Sequence, residues 1–204
     1  MPETRQPNQP AAAGTGQGQA HTAELVVLLD PDGRPIGEAD KATVHGTSTP
    51  LHLAFSCYAF DRQGRLLVTR RSAAKRTFPG VWTNTCCGHP APGEPVAHAV
   101  RRRLHDELGL DPSDLRLALA DFAYRASANG VEEHERCPVY LCRVAAEPMA
   151  DPSEVDRWHW RPWPDFLDEA VSEGGGLSPW SRLQATQLDA GGHVARFLRD
   201  TRPA

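Results

Sequence analysis

Apolar runs separated by turn residues occupy the first third of the chain, and they predict β-hairpins. A run at 24–30, ELVVLLD, is followed by a Pro-Asp-Gly turn and a second extended segment at 34–40. Two further runs, at 51–60 and 65–70, are separated by a short polar segment that ends in Gly64, a residue suited to a left-handed turn position. The pattern therefore predicts two successive hairpins.

A helical period follows at 95–108. Charged side chains there alternate with apolar residues that recur every four positions, namely Val96, Val100, Leu104 and Leu108. This spacing is typical of an amphipathic helix. We expect the helix to end at Gly109, because glycine readily adopts the left-handed conformation of a C-cap.

The remainder of the chain contains extended runs first and helical segments last. Residues 115–126, 137–144 and 155–163 predict strands. Residues 164–173 and 179–199 have helical length and composition, and consecutive glycines separate them. This order of strands, one helix, more strands and two helices predicts an α+β fold in which helices flank a mixed sheet.

Composition divides the chain into two regions. Residues 1–22 contain no Leu, Ile, Val or aromatic side chain, so we predict a disordered N-terminal tail. We expect residues 23–204 to form a single domain, because no linker or internal repeat interrupts them and 204 residues suit one large domain with an appendage.

Charge and cysteine content narrow the class of protein. A net charge of −4 argues against nucleic acids and anionic membranes as partners, and with the polar C-terminus it favours a monomer. The chain has neither a long apolar run nor an apolar signal peptide, so we expect a cytoplasmic protein. The cysteine count is odd and two cysteines are adjacent, which favours free thiols over disulfides.

Chemically reactive side chains concentrate around Cys87, which lies two residues from His89. A lone cysteine is as often a buried small hydrophobic residue, and a lone histidine is more often a surface or packing residue. Further candidates accompany this pair, however, because Glu133 and Glu135 would project from the same face of a strand. Three histidines and two carboxylates form a ligand set suited to a divalent transition metal: His45, His52, His89, Glu133 and Glu135.

Residues 88–110 carry a second pattern. Its fixed positions are Gly88, Glu94, Arg102, Leu104, Glu107, Gly109 and Leu110. This spacing resembles the box of the Nudix superfamily, a loop-helix-loop that binds diphosphates through a metal held by helix carboxylates. The chain departs from hydrolytic members at Arg103, where they carry a glutamate, so one carboxylate of the hydrolytic metal cluster is missing.

Motifs spread over residues 24–190 carry a narrower resemblance. They include KATVH at 41–45, LHLAFS at 51–56, PGVWTNTCCGHP at 79–90, RRRLHDELG at 101–109, FAYRA at 122–126, EEHERCPVY at 132–140 and SPW at 178–180. In this order they resemble the type I isopentenyl-diphosphate isomerases. The resemblance implies a Nudix-type α/β/α sandwich. It also implies an enzyme that interconverts isopentenyl and dimethylallyl diphosphate by protonation and deprotonation.

The same resemblance implies a role for each candidate residue. Cys87 and Glu135 would exchange protons with the substrate from opposite faces, Tyr124 would assist the protonation, and the Trp180 ring would face the cationic centre. The diphosphate would be bound by four cationic residues: Lys41, Arg71, Lys75 and Arg103.

Two metal ions are implied as well. Glu107 would hold a Mg²⁺ ion that bridges the diphosphate. The second ion, zinc or manganese, would be bound by the histidines and carboxylates: His45, His52, His89, Glu133 and Glu135. The sequence does not decide between these two metals.

Three alternatives compete with this interpretation. A Nudix hydrolase of nucleoside diphosphates would need more carboxylates on the box helix, and Arg103 argues against it. A structural zinc domain would be expected to have four ligands and to be rich in cysteine. A flavin-dependent isomerase would need a barrel of repeated βα units, which the pattern does not contain, so no flavin is expected.

Overall fold

A computed structural model describes residues 24–200, and the predicted tail at residues 1–22 lies outside this part of the chain. The strands are β1 Leu25–Leu29, β2 Pro35–Asp40, β3 His52–Leu53, β4 Phe55–Phe60, β5 Leu66–Arg71, β6 Trp82–Thr83, β7 Cys86–Gly88, β8 Ser113–Leu119, β9 Ala123–Ala128, β10 Val131–Arg136, β11 Val139–Arg143 and β12 Val155–Arg161. The helices are α1 Lys41–Val44, α2 Val96–Leu108, α3 Trp163–Val171, α4 Pro179–Ala190 and α5 His193–Arg199.

Two mixed sheets organise these elements. The first has the order β2-β1-β3-β10-β9, and the second has the order β12-β5-β4-β11-β8, with β6 beside β5 and β7 beside β4. In each sheet a parallel pair joins the two halves of the chain: β3 with β10, and β4 with β11. The predicted hairpins are present as the antiparallel pairs β1–β2 and β4–β5, whose turns contain Gly33 and Gly64 at positive φ.

The predicted single strand at 51–60 is wrong in one respect, because the structure divides it between the two sheets. His52 pairs with Leu28 and Glu135 in the first sheet, whereas Ser56 pairs with Val139 in the second. The predicted run at 115–126 is divided in the same way, into β8 and β9. Each run reads as one strand-like segment in the sequence, and which distant strand pairs with each half is not encoded in that local pattern.

Alternating side chains of β4 pack on both faces of the second sheet. Cys57 and Ala59 join the core formed with α2, while Tyr58 and Phe60 join the core formed with α3, α4 and α5. Each buried large apolar side chain contributes about 1.5–3 kcal/mol to stability. This three-layer packing is the predicted α/β/α sandwich.

Helix α2 matches its prediction. Val100, Leu104 and Leu108 are fully buried against the second sheet, and Gly109 caps the helix at a φ of 63°. The predicted helix at 179–199 is wrong in its continuity, since it is divided into α4 and α5 at Gly191 and at Gly192, whose φ is 62°.

The structure can also be compared with two predictions from composition, on the cysteines and on membrane-spanning helices. All five cysteines are free thiols, as predicted. Among the helices between residues 24 and 200, none combines the length and apolar composition needed to cross a membrane.

The cap at Gly109 gives a test of the fold. A Cβ atom at this position would lie 3.2 Å from the Met149 side chain, in addition to the cost of a left-handed backbone. We predict that Gly109→Ala lowers the free energy of unfolding by about 1–2 kcal/mol in urea titrations. Gly37→Ala in β2 is the control, because its nearest neighbouring atom would be 4.0 Å away. Equal effects of the two substitutions would contradict the assignment of the cap.

Candidate active site

A cavity of about 840 Å³ lies where residues of both sheets meet α1, α2 and α4. All of the predicted site residues except His52 and Glu107 line it. The predicted site residues that line the cavity are Lys41, His45, Arg71, Lys75, Cys87, His89, Arg103, Tyr124, Glu133, Glu135 and Trp180. The structure thus brings together side chains from opposite ends of the folded chain.

The three predicted histidines and Glu135 reach the cavity on different elements. His45 is the C-cap residue of α1, and His89 directly follows β7. His52 lies in β3, directly opposite Glu135 of β10 in their parallel register. The register of two short strands therefore places an imidazole beside a carboxylate.

The ligand atoms of these four residues lie within 4.8 Å of one another. His89 Nε2 is 3.2 Å from Glu135 Oε1 and 3.2 Å from His52 Nε2. His52 Nε2 is 3.6 Å from the same Glu135 oxygen. The Nδ1 atom of His52 lies 2.9 Å from the Pro50 carbonyl, which can only accept, so Nδ1 donates and the ring is oriented with Nε2 facing the cluster.

Burial controls the protonation of this cluster. It lowers the pKa of His45 to about 4, so this imidazole is neutral at pH 7. Burial alone would raise the pKa of Glu135, but hydrogen bonds from His52 and His89 outweigh it and hold this pKa far below its ordinary value. The buried Nε2 atom of His45 has no hydrogen-bond partner among the described residues. An unpartnered imidazole nitrogen beside an ionised carboxylate fits a divalent cation.

Glu133, also predicted as a metal ligand, lies outside this group of four. Its Oε2 atom accepts a hydrogen bond of 2.7 Å from the Tyr124 hydroxyl. Burial, followed by the charge of Glu135, raises the pKa of Glu133. Tyr124 also lies 3.0 Å from Glu135 Oε2, so this hydroxyl links the two carboxylates. His134, between them in β10, does not line the cavity.

The adjacent cysteines lie on opposite sides of β7. Cys86 packs with α2 in the core, while Cys87 lines the cavity. The Cys87 sulfur lies 3.3 Å from the Ser56 hydroxyl and 3.3 Å from Asn84 Oδ1. Burial raises the pKa of the Cys87 thiol to about 12, so the group is protonated at neutral pH.

An aromatic wall lies next to the cysteine and the carboxylates. The Trp180 ring is 2% exposed, and its centroid lies 5.8 Å from that of Tyr124 and 5.2 Å from that of Phe78. The guanidinium carbon of Arg71 lies 5.6 Å from the Trp180 centroid. Arg71 itself is held by the Thr77 carbonyl, which accepts a bond of 2.7 Å. The Trp180 ring therefore packs against two aromatic rings and also contacts the Arg71 guanidinium.

The predicted diphosphate residues form a cationic end of the cavity. Arg103 Nη2 lies 2.6 Å from Glu107 and 3.1 Å from Glu154. Lys75 is also bonded to Glu154, and burial lowers the pKa of Lys75 to about 8. Lys41 lies 2.5 Å from Glu24.

Glu107 lies apart from the main cavity, in a small polar recess behind Lys75. Glu154 lines the same recess, and the sequence analysis missed it because it belongs to no motif. Asn84 was missed as a functional candidate as well, although it lies within the quoted motif at 79–90. Its side chain is completely buried, which a single sequence does not reveal.

Comparison with solved structures identifies the fold. A crystal structure of a Deinococcus radiodurans protein matches with a TM-score of 0.64 at 18% identity, covering 80% of this chain and 98% of that one. The MutT protein of Methanosarcina mazei matches with a TM-score of 0.56 at 20% identity, covering 70% and 96% of the two chains. At these identities the likeness concerns the fold alone.

Comparison at the level of sequence identifies the family. The NUDIX domain model matches residues 50–181. The isopentenyl-diphosphate Delta-isomerase of Mycolicibacterium vanbaalenii is 57% identical over 85% of this chain and 96% of its own length. The enzyme of the same name from Frankia alni is 56% identical over 82% of this chain and 87% of its own length. The chain therefore belongs to the isopentenyl-diphosphate Delta-isomerase family of Nudix proteins.

Proposed function

We propose that this chain interconverts isopentenyl diphosphate and dimethylallyl diphosphate by protonating the alkene and removing a proton from a neighbouring carbon. One observation carries this proposal. A single cavity contains a thiol, a carboxylate, a buried indole ring and a cluster of cations: Cys87, Glu135, Trp180, Lys41, Arg71, Lys75 and Arg103. These are the groups that proton transfer to and from a diphosphate-bearing alkene needs.

The reaction is difficult because an alkene is a very weak base. Protonation generates a tertiary cationic centre, which must be stabilised and kept from water. We assign the proton transfers to Cys87 and Glu135, which come from different sheets and line the same cavity. Tyr124 is assigned to the protonation step, since its hydroxyl is bonded to Glu135. The Trp180 ring would stabilise the cationic centre by about 2 kcal/mol.

The four-residue cluster would hold a zinc or manganese ion. The unpartnered Nε2 of His45 supports this assignment, and so does the convergence of His52 and His89 on Glu135. Glu133 would join them through its carboxylate, which faces the same cavity. When bound, a divalent cation withdraws charge from the Glu135 carboxyl and makes it a stronger acid.

Lys41, Arg71, Lys75 and Arg103 would bind the diphosphate, and all four line the cavity. Arg103 is suited to this role because its planar fork matches phosphate oxygens. Glu107 is assigned to a Mg²⁺ ion at the diphosphate. Glu107 is paired with Arg103 and lies in the adjoining recess, so it would reach this ion from behind the cavity.

A Nudix hydrolase is the competing function. Arg103 argues against it, because hydrolytic members carry a glutamate at this position and one carboxylate of the hydrolytic metal cluster is therefore missing. Several predictions from the sequence remain predictions. They are a cytoplasmic location, a monomeric state, a single domain at residues 23–204, and the absence of flavin, nucleic-acid and membrane partners.

The first prediction about function tests the reaction itself. In deuterated water with isopentenyl diphosphate, Mg²⁺ and Zn²⁺ or Mn²⁺, we expect NMR to detect dimethylallyl diphosphate that carries solvent deuterium. Cys87→Ala should lower kcat by about 10²–10⁴-fold, since it removes a proton-transfer group. Cys86→Ala is the matched control and should have a mild effect, because Cys86 packs in the core.

Two outcomes would contradict the assignment. Release of inorganic phosphate with an unlabelled alkene would favour a hydrolase. A larger loss of kcat in Cys86→Ala than in Cys87→Ala would show that the wrong cysteine of the pair was chosen.

The second prediction concerns the diphosphate end. Arg103→Gln should raise KM by about tenfold or more, because a charged hydrogen bond is worth about 1.5–3 kcal/mol. Arg101→Gln, on the exposed side of the same helix, should leave KM unchanged. Inhibition by inorganic diphosphate provides an independent measure, and its inhibition constant should rise in the same proportion. An unchanged KM in Arg103→Gln would remove Arg103 from the diphosphate site.

The third prediction concerns the transition metal. His45→Ala should weaken zinc or manganese binding by at least about tenfold, measured by isothermal titration after chelation. His134→Ala is the matched control, because His134 lies in β10 but outside the cluster. Mass spectrometry of the purified protein would identify the bound metal. Equal metal affinity in the two variants would refute the assignment of His45 as a ligand.

A further inference from the structure

We infer that Asn84 is a positioning residue that holds the Cys87 thiol and the Trp180 indole in fixed relative positions. The inference rests on the roles proposed above for these two groups. Asn84 lies between β6 and β7 and is completely buried. It does not line the cavity, so its influence on the reaction passes through the residues that it holds.

Four donors converge on one oxygen of this amide, and the Ser181 hydroxyl is the most distant of them at 3.5 Å. Asn84 Oδ1 accepts from the Trp180 indole nitrogen at 3.1 Å, from the Cys87 sulfur at 3.3 Å and from the Thr83 hydroxyl at 2.9 Å. The indole nitrogen belongs to the first turn of α4, whereas the thiol belongs to β7. A single atom therefore connects two elements that are distant in the sequence.

The orientation of the Asn84 amide follows from the contacts of its nitrogen. Asn84 Nδ2 donates to the Cys57 carbonyl at 3.0 Å and to the Cys86 carbonyl at 3.1 Å. Backbone carbonyls can only accept, so the nitrogen must face them and the oxygen must face the thiol and the indole. The strands that carry these carbonyls, β4 and β7, are paired with each other. The oxygen is consequently anchored on the second sheet.

This anchoring determines how both groups face the cavity. An indole N–H is only a donor, and when buried it requires a partner, so the bond to Asn84 fixes the plane of the Trp180 ring. The same oxygen accepts a hydrogen bond from the S–H of Cys87, and the Ser56 hydroxyl contacts the sulfur at 3.3 Å. Without the amide, the ring and the sulfur would lose the hydrogen-bond acceptor that they share. Misplacement of reacting groups by about 1 Å can cost about 10²-fold in rate.

Three of the four residues assigned to the diphosphate are independent of this arrangement, and the fourth, Arg71, approaches it only through its contact with the Trp180 ring. Asn84 forms no hydrogen bond with Lys41, Lys75 or Arg103. A defect at Asn84 should therefore lower kcat while diphosphate binding is retained. A general loss of structure would change both.

The test compares variants of Asn84 in the metal-loaded full chain. Asn84→Leu, similar in size but without an acceptor, should lower kcat by about 10²-fold. Its KM and its inhibition constant for inorganic diphosphate should stay within about threefold of the parent protein. If Asn84→Leu does not fold, Asn84→Ser replaces it, because a serine oxygen is too short to reach both donors.

Thr83→Val is the matched control. It removes a buried hydroxyl from the same oxygen without touching the thiol or the indole, so it should lower the melting temperature but leave kcat within about threefold. The inference is overturned if the Leu or Ser variant keeps its kcat. It is also overturned if KM and kcat change together.

Two further variants separate this inference from the proposed function. Cys87→Ala and Trp180→Phe should each lose kcat if the proposed roles are correct. If they do and the Asn84 variants do not, only the positioning role fails. If both keep their kcat, the proposed roles themselves are wrong.

Discussion

The parallel pairing of β3 with β10 is the constraint on which the site depends. Its register has only two residue pairs, and one of them places His52 directly opposite Glu135. A shift of one residue would turn Glu135 to the other face of the sheet, because side chains alternate along a strand. Glu133 would turn with it, and the carboxylates would leave both the imidazoles and Tyr124. The chain secures this register on both sides, since β3 also pairs with β1 and β10 with β9 along its whole length.

The second constraint is electrostatic. Two clusters of buried charge adjoin the cavity. In one, imidazoles surround Glu135, and in the other, at the neighbouring recess, Arg103 lies between Glu107 and Glu154. Buried charges are costly and are weak evidence of stability by themselves. Arg103 and Lys75 offset Glu107 and Glu154 in one cluster, and hydrogen bonds from imidazoles keep Glu135 ionised in the other. Glu154 contacts both Lys75 and Arg103, so its carboxylate offsets part of the charge of each.

Much of this organisation could be predicted from local patterns. The hairpins, the period of α2 with its cap at Gly109, and the shared face of Glu133 and Glu135 all follow from spacing and turn chemistry. The division of the run at 51–60 between two sheets could not be predicted, since it depends on which distant strand pairs with each half. The pair Gly191 and Gly192 was a readable signal for the break after α4. The hydrogen bonds of Asn84 depend on residues brought together only by folding.

The position of Arg71 shows how binding and chemistry are connected in this cavity. Its guanidinium lies over the Trp180 ring, and the same ring is assigned to the cationic centre of the reaction. Two cations near one aromatic system compete for its electron-rich face and repel each other. A diphosphate bound to Arg71, as proposed, would neutralise this charge, so the ring would become more available to the developing cation with substrate in place. Binding energy from the non-reacting end of the substrate would in this way be used at the reacting carbon, as expected when remote contacts raise kcat rather than lower KM alone.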